Sequence, residues 1–303
     1  MTLRHGIEYA GVRLLIALAG TVSPETGFRL GGLLGELTFR VIRTRRHVVM
    51  QNLVRAFGDG YGKDTMTQLA QAAYRHLGQT AVEHARLLAS RATAITGRVE
   101  VNGADHLAQA VQQGRGAVLV TGHFGHWELL GATVAALGYP ISVVAKDQHN
   151  PAVNRLINEG RERLGLRVIP MASATHAVVR ALRRNECVGL LVDQDAGPGG
   201  TFVQFLGAPA STYQGPALFA LRTGAPIIPC FIVRTGVERH QVVFEPPIQA
   251  VPADDEAADI QQYTQQYTTV LERYVRAHPD HWFWVHRRWK TAAPREKILD
   301  FGF

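Results

Sequence analysis

The chain has 303 residues, 46% hydrophobic and 19% charged, which gives length and apolar content for a sizeable core and excludes a disordered chain. Its net charge of +7 points to an anionic partner; nucleic acid, an anionic lipid surface and an acidic carrier protein all satisfy it. Cys187 and Cys230 are the only cysteines, sit in apolar settings and lack ligand spacing, so they read as two buried thiols.

The N-terminal third reads as helical. Leu14 to Val22 is apolar but too short for the roughly 20 residues of a bilayer-spanning helix. Ala17-Leu18-Ala19 has the small-residue pattern of a signal-peptidase site, but the apolar run is close to the shortest such signals use. Phe28 to Ile42 mixes Leu, Phe, Val and Ile with glycine, and Arg43, Arg45 and Arg46 follow at once. Two apolar helices edged by arginine fit an interfacial anchor. An ordinary helical hairpin buried in the protein is the other reading. Val48, Leu53, Val54 and Phe57 then share a helical face ended by Gly58-Asp59-Gly60, and Met66 to Leu88 continues in the same period.

From Val99 the pattern changes to short β-branched runs at Ala117–Thr121, Ile141–Ala145, Val168–Ile169, Val188–Val192 and Ile227–Val233. Helical stretches are expected between them, near 104–113, 126–137, 151–164, 174–184 and 213–223. That alternation predicts βαβ units and an α/β fold with a central, mostly parallel sheet flanked by helices. Gln241–Glu245 is expected as an edge strand, and Asp254, Asp255 and Glu256 open a last helix. A boundary follows: residues 1–93 as a helical, membrane-associating extension, and 94–303 as the α/β domain.

The most informative stretch follows the run Ala117–Thr121. A continuously apolar strand is buried on both faces, and it ends in Gly122-His123-Phe124-Gly125-His126-Trp127-Glu128 before another helix. Open α/β sheets place ligands at such carboxyl ends. A neutral imidazole suits removal of a hydroxyl proton. A carboxylate on its other nitrogen would fix the tautomer, and Glu128, one helical turn on from His123, is the expected partner. Free amides at the helix start would receive an oxyanion. The chain contains no G-x-S-x-G, so direct attack by an acceptor is expected rather than an acyl-enzyme. On residue types alone, His123, His126 and Glu128, with His149, also allow a metal-dependent hydrolase, and a polar helix cap without chemistry is the blandest reading. Asp193-Gln194 ends another strand and is expected to line the site; Arg161 is either a phosphate clamp or solvated helix surface. Trp282 and Trp284 fit either a membrane interface or a strand packing its tryptophans inward.

Residues 121–131, TGHFGHWELLG, resemble the HFGNWE-type block of the lipid A biosynthesis lauroyl/myristoyl acyltransferases and the related mannoside acyltransferases. Further blocks follow in the family's order: Arg46 with Asn52-Leu53 and Ala56-Phe57, Asn154 and Arg161 in NPAVNRLINEGRERLG, Gly189 to Gly207, Thr212 to Pro229, and HPDHWFWVHRRWK at 278–290. The resemblance implies a glycerol-phosphate acyltransferase-like fold. It also implies transfer of a fatty acyl group to a hydroxyl or amine, with His123 and Glu128 catalytic and Gly125, His126, Asn154, Arg161, Asp193 and Gln194 binding substrate. No metal or other cofactor is implied beyond the co-substrate, an acyl-carrier-protein or coenzyme A thioester. The acceptor would be a membrane glycolipid or phospholipid, met by a peripheral or shallowly anchored protein at the cytoplasmic face of the inner membrane. Two departures stand out: His126 where Asn is common, and Gln204-Phe205-Leu206, which keeps the usual aromatic pair only in part. Scattered arginines and the lack of a binding motif argue against nucleic acid.

Overall fold

The computed structural model describes residues 2–58, 60–89, 95 and 97–293. Four helices come first: α1 (Leu3–Thr21), α2 (Pro24–Leu37), α3 (Arg46–Phe57) and α4 (Lys63–Ala89). Local chemistry sets the α1–α2 break. Ser23 caps α2 by accepting the Thr26 N–H, and Pro24 takes the first helical position, where its missing N–H costs nothing.

The α2–α4 contact explains why the apolar N-terminus does not bury its leucines. Gly27, Gly31, Gly32 and Gly35 line the buried side of α2. A Cβ on Gly35 would lie 2.0 Å from the Tyr74 carbonyl oxygen, and one on Gly78 would lie 2.1 Å from that of Gly31. Small residues thus let the two backbones touch, as in close-packed membrane helices. Leu30, Leu33, Leu34 and Leu37 are turned outward, with Leu33 63% exposed. Exposed Leu3, Ile7, Leu14, Leu15 and Leu18 on α1 extend the apolar surface. The expectation of an ordinary hairpin buried in the protein is corrected, for α2 packs on α4 through its glycines yet shows its leucines to solvent. Among the described residues no helix is long and apolar enough to cross a membrane.

The rest is α/β. After β1 (Val99–Asn102), which was not among the expected strands, α5 (Ala104–Gln112), β2 (Ala117–Thr121), α6 (Trp127–Ala136), β3 (Ile141–Ala145), α7 (Pro151–Arg163), β4 (Leu166–Pro170), α8 (Ala174–Arg183) and β5 (Cys187–Leu191) alternate as expected. The hairpin β6 (Thr201–Phe205) and β7 (Ala208–Thr212), α9 (Gly215–Thr223), β8 (Ile227–Gly236), β9 (Arg239–Phe244) and α10 (Glu256–Ala277) complete the chain. The seven-stranded sheet runs β1-β9-β8-β2-β5-β3-β4, and every pairing except β8–β9 is parallel.

Two strand expectations are corrected. β9, expected at an edge, lies between β8 and β1, because the short β1 adds beside it in parallel. No strand forms at Trp282–Trp284; a single bridge joins Phe124 to Trp282 and the tryptophans are buried. The β6–β7 hairpin was not foreseen.

β2 sits mid-sheet, buried on both faces. Leu119 packs with Leu129, Leu130 and Ile228 on one side, and Val118 and Val120 with Val178, Leu182 and Ala220 on the other. A third core joins Val49, Leu53 and Tyr74 of α3 and α4 to Phe124, Leu271, Trp282 and Trp284. The N-terminal helices and the C-terminal segment therefore pack together over the carboxyl end of β2.

Candidate active site

His123 lies in the turn between β2 and α6. Gly125 has φ +57, and a Cβ there would lie 2.1 Å from the Ile232 carbonyl oxygen, so only glycine lets the turn lie against β8. The turn is pinned from the C-terminal side: Gly125 N–H donates to the His281 carbonyl (2.9 Å), and Phe283 N–H to that of His123 (3.0 Å).

The carboxylate on the His123 ring belongs to Asp193. His123 Nδ1 is 2.8 Å from Asp193 Oδ1, and the His123 backbone N–H donates to Asp193 Oδ2 at 2.7 Å. Trp282 Nε1–H also donates to Oδ2, at 2.8 Å. An ionised carboxylate only accepts, so the ring proton sits on Nδ1 and the Nε2 lone pair is left available. Burial raises the Asp193 pKa, but the His123 ring and the bonds from His123 and Trp282 outweigh it and hold the carboxyl below its ordinary range. Gln194 Nε2 approaches His123 Nε2 at 3.4 Å, and the rings of Trp127 and Phe283 flank the imidazole. Together with Leu77 of α4 and Val49 of α3, these rings line a small, largely apolar cavity reaching His123.

Glu128 is elsewhere. Its carboxylate accepts two parallel N–H bonds from Arg161 of α7, from Nε (3.0 Å) and Nη2, and Arg161 Nη1 donates to Asn158 (3.1 Å). Burial raises the Glu128 pKa, but the Arg161 bonds and charge outweigh it, with His84 and His123 adding, so the carboxyl is held low. The expectation that Glu128 reaches back to the His123 ring is corrected: a forked guanidinium saturates it, and a carboxylate two residues past the end of the neighbouring strand β5 takes the ring nitrogen. With a forked pair and the Asn158 bond, Arg161 is neither solvated surface nor an uncommitted phosphate clamp. Glu128→Gln should lower unfolding free energy by about 2–3 kcal/mol, somewhat less than deleting a buried partner, because the guanidinium loses its counter-charge but keeps an acceptor. Urea denaturation of wild type, E128Q and E128Q/R161M measures this; the double variant should recover part of the loss, and an unchanged E128Q midpoint would contradict it.

The remaining expected site residues divide. Gln194 joins His123, and Gly125 shapes its turn. Asn154 instead ties the loop before α7, accepting from Gln148 N–H and donating to Asp147, both at 3.0 Å. His126 is buried behind the turn, where its Nδ1 accepts the Leu129 N–H as the α6 cap, beside His84 and His240. It lines a separate cavity with Glu83 and His240, away from the one that reaches His123.

Metal chemistry built on His123, His126 and Glu128 finds no support in this geometry. Among the described residues, the triads close enough to share an ion are His5, Glu8 and His149, and His76, Asp280 and His281. In the second, His281 Nε2 accepts the Arg234 N–H (3.2 Å), which leaves the proton on the Nδ1 facing Asp280. In the first, Glu8 already accepts from Arg4 and Asn150, both at 3.0 Å. That cluster joins α1 to the start of α7.

Comparison with known proteins agrees with this architecture. Residues 1–291 match the family described as bacterial lipid A biosynthesis acyltransferase. The chain belongs to this family. It is therefore an acyltransferase. The relatives include the lipid A biosynthesis palmitoleoyltransferase of Escherichia coli (strain K12), 24% identical over 98% of this chain and 95% of that protein. The lauroyltransferase of the same organism is 26% identical over 95% and 92%. A phosphatidylinositol mannoside acyltransferase of Mycobacterium tuberculosis is 28% identical over 62% of this chain and 59% of its own.

Trp282 is the residue that sequence reasoning assigned to packing or a membrane interface and not to the site. Its place within the 278–290 block was visible; that its indole N–H reaches Asp193 depends on how the C-terminal segment crosses the β2 turn.

Proposed function

We propose that this acyltransferase moves a fatty acyl group from an acyl-carrier-protein or coenzyme A thioester to a hydroxyl or amine of a membrane glycolipid, a lipid A precursor or a lysolipid. The single observation carrying the mechanism is the Asp193–His123 pair, which leaves a neutral Nε2 as base. His123 Nε2 takes the acceptor's proton as its oxygen attacks the thioester carbonyl. The C–O bond forms, the C–S bond breaks, and the imidazolium returns the proton to the leaving thiolate. Asp193 stabilises that imidazolium. The Gln194 amide and the amides of Trp127 and Glu128, at the start of α6 ahead of the capped Leu129 N–H, are assigned as donors to the developing oxyanion. Glu128 acts through Arg161, holding α7 against α6. The apolar cavity beside His123 takes the start of the acyl chain.

Lipid mass spectrometry of strains with and without the gene tests this. A lipid lacking one acyl chain in the deletion, restored by wild type and not by His123→Ala, is expected; identical lipid profiles would sink the reading.

The acceptor is met, we propose, at the cytoplasmic face of the inner membrane, with the outward leucines of α1 and α2 as the peripheral contact. Leu33 and Leu37 touch water rather than core, so L33D/L37D should fold normally. Losing two buried leucine side chains should weaken binding to vesicles on the order of a hundredfold. Wild type that stays unbound to phosphatidylglycerol vesicles would overturn this arrangement.

A further inference from the structure

A second surface lies across α3 from the His123 cavity. Residues 37–58 carry five arginines and residues 281–293 carry Arg287, Arg288 and Lys290, and neither stretch contains Asp or Glu. The fold lays these stretches together: Asn52 Nδ2 donates to the carbonyls of Trp284 (2.8 Å) and His286 (2.7 Å). Between them is an open groove of about 860 Å³. Its floor includes Val48, Met50 and Trp289, with Arg55, Arg287 and Lys290 among its lining. These three cations are exposed, and among the described residues none has a carboxylate partner. Arg55 lies over the Trp289 ring, 5.7 Å from its centroid, so an aromatic floor and a cationic wall meet at one place.

We propose that this groove docks an acidic amphipathic helix of the acyl carrier protein that delivers the thioester. The occupant follows from shape and charge. A groove of this volume exceeds a single phosphate, and an apolar floor with exposed cations that have no carboxylate partner among the described residues complements a helix that is apolar on one stripe and acidic beside it. Position supports it too: Val49, adjacent to Val48 on α3, and Trp284 and Val285 of the C-terminal segment line the cavity that reaches His123. The groove and the His123 cavity are thus lined by neighbouring residues of the same two segments, which puts a seated carrier close to the reacting atoms. The assignment rests on the thioester-donor reading above, and the test separates the two.

The experiment measures binding of fluorescently labelled apo acyl carrier protein by anisotropy, then transfer kinetics from acyl carrier protein and from acyl-CoA, for wild type and R287E/K290E. The variant's folding is checked by its melting curve. Carrier Kd is expected to rise at least tenfold, wild-type affinity to fall steeply with salt, and KM for acyl carrier protein to rise with kcat held. KM for acyl-CoA should move far less. Unchanged carrier affinity in the folded variant overturns the proposal. So does selective loss of binding to phosphatidylglycerol vesicles with carrier affinity intact, which makes the groove a headgroup site. Wild type that transfers from neither thioester, yet binds the carrier through these residues, refutes the donor reading and leaves the groove assignment standing.

Discussion

Asp193→Asn is expected to lower kcat by roughly 10³–10⁴ with KM little changed, a loss as large as that of His123→Ala. The reason lies in the three bonds Asp193 accepts. Its Oδ2 takes the His123 backbone N–H and the Trp282 indole N–H, while Oδ1 faces His123 Nδ1. An asparagine has one acceptor oxygen, and two fixed donors already claim it. Its NH₂ must then face Nδ1, which becomes an acceptor, and the ring proton moves to Nε2. The base is lost through its tautomer while the fold remains. Steady-state kinetics with a melting curve decide this. A folded D193N enzyme with near-normal kcat would show that Asp193 only holds the turn, whereas a raised KM at constant kcat would recast it as a substrate contact.

The pairing of His123 with Asp193 was within reach of the sequence. β2 and β5 pair in parallel register, Ala117 with Cys187 through Thr121 with Leu191. Continuing that register two residues past each strand end sets His123 beside Asp193. The strands, the polar residues after each and their strand-end positions were all read from the residues; strand order was not, because nothing local says that β5 rather than β3 lies next to β2. The attraction of Glu128 came from proximity in the chain. An i to i+5 carboxylate at a helix start has other partners to choose from, and Arg161 arrives from α7, whose packing no periodicity reveals. The same holds for His126, whose role as a buried cap depends on what α4 and β9 place behind it. Helix spans were more legible, since the 3.6-residue period and the caps at Ser23, Asn150 and Asp255 are local.

That buried region behind the site makes the protein acid-sensitive. His76, His126 and His240 are each at most 5% exposed. Burial, with neighbouring histidines and Arg234 adding, pushes His76 and His126 well below the ordinary histidine value and His240 to about 3. Each is therefore neutral when folded but gains a proton near pH 6.5 when unfolded. A depressed folded pKa gives stability that is present above the unfolded value and falls away as pH drops beneath it. Between pH 7.5 and 5.5 a histidine that stays neutral in the fold contributes a loss of up to about 1.4 kcal/mol, and the three together up to about 4, a large part of an ordinary domain's stability. Asp193 and Glu128, whose folded pKa values are also depressed, extend the loss below pH 4.5. Urea denaturation at pH 7.5, 6.5 and 5.5 measures the slope. His126→Asn tests the assignment, because an amide can still cap Leu129 but takes up no proton on unfolding. It should lessen the acid loss by up to about 1.4 kcal/mol, one histidine's share, while leaving transfer activity near wild type, since His126 faces away from the His123 cavity. A wild-type stability flat across this range would show that the three rings are protonated, or equally solvated, in the folded protein; an unchanged slope in H126N would remove His126 from the account.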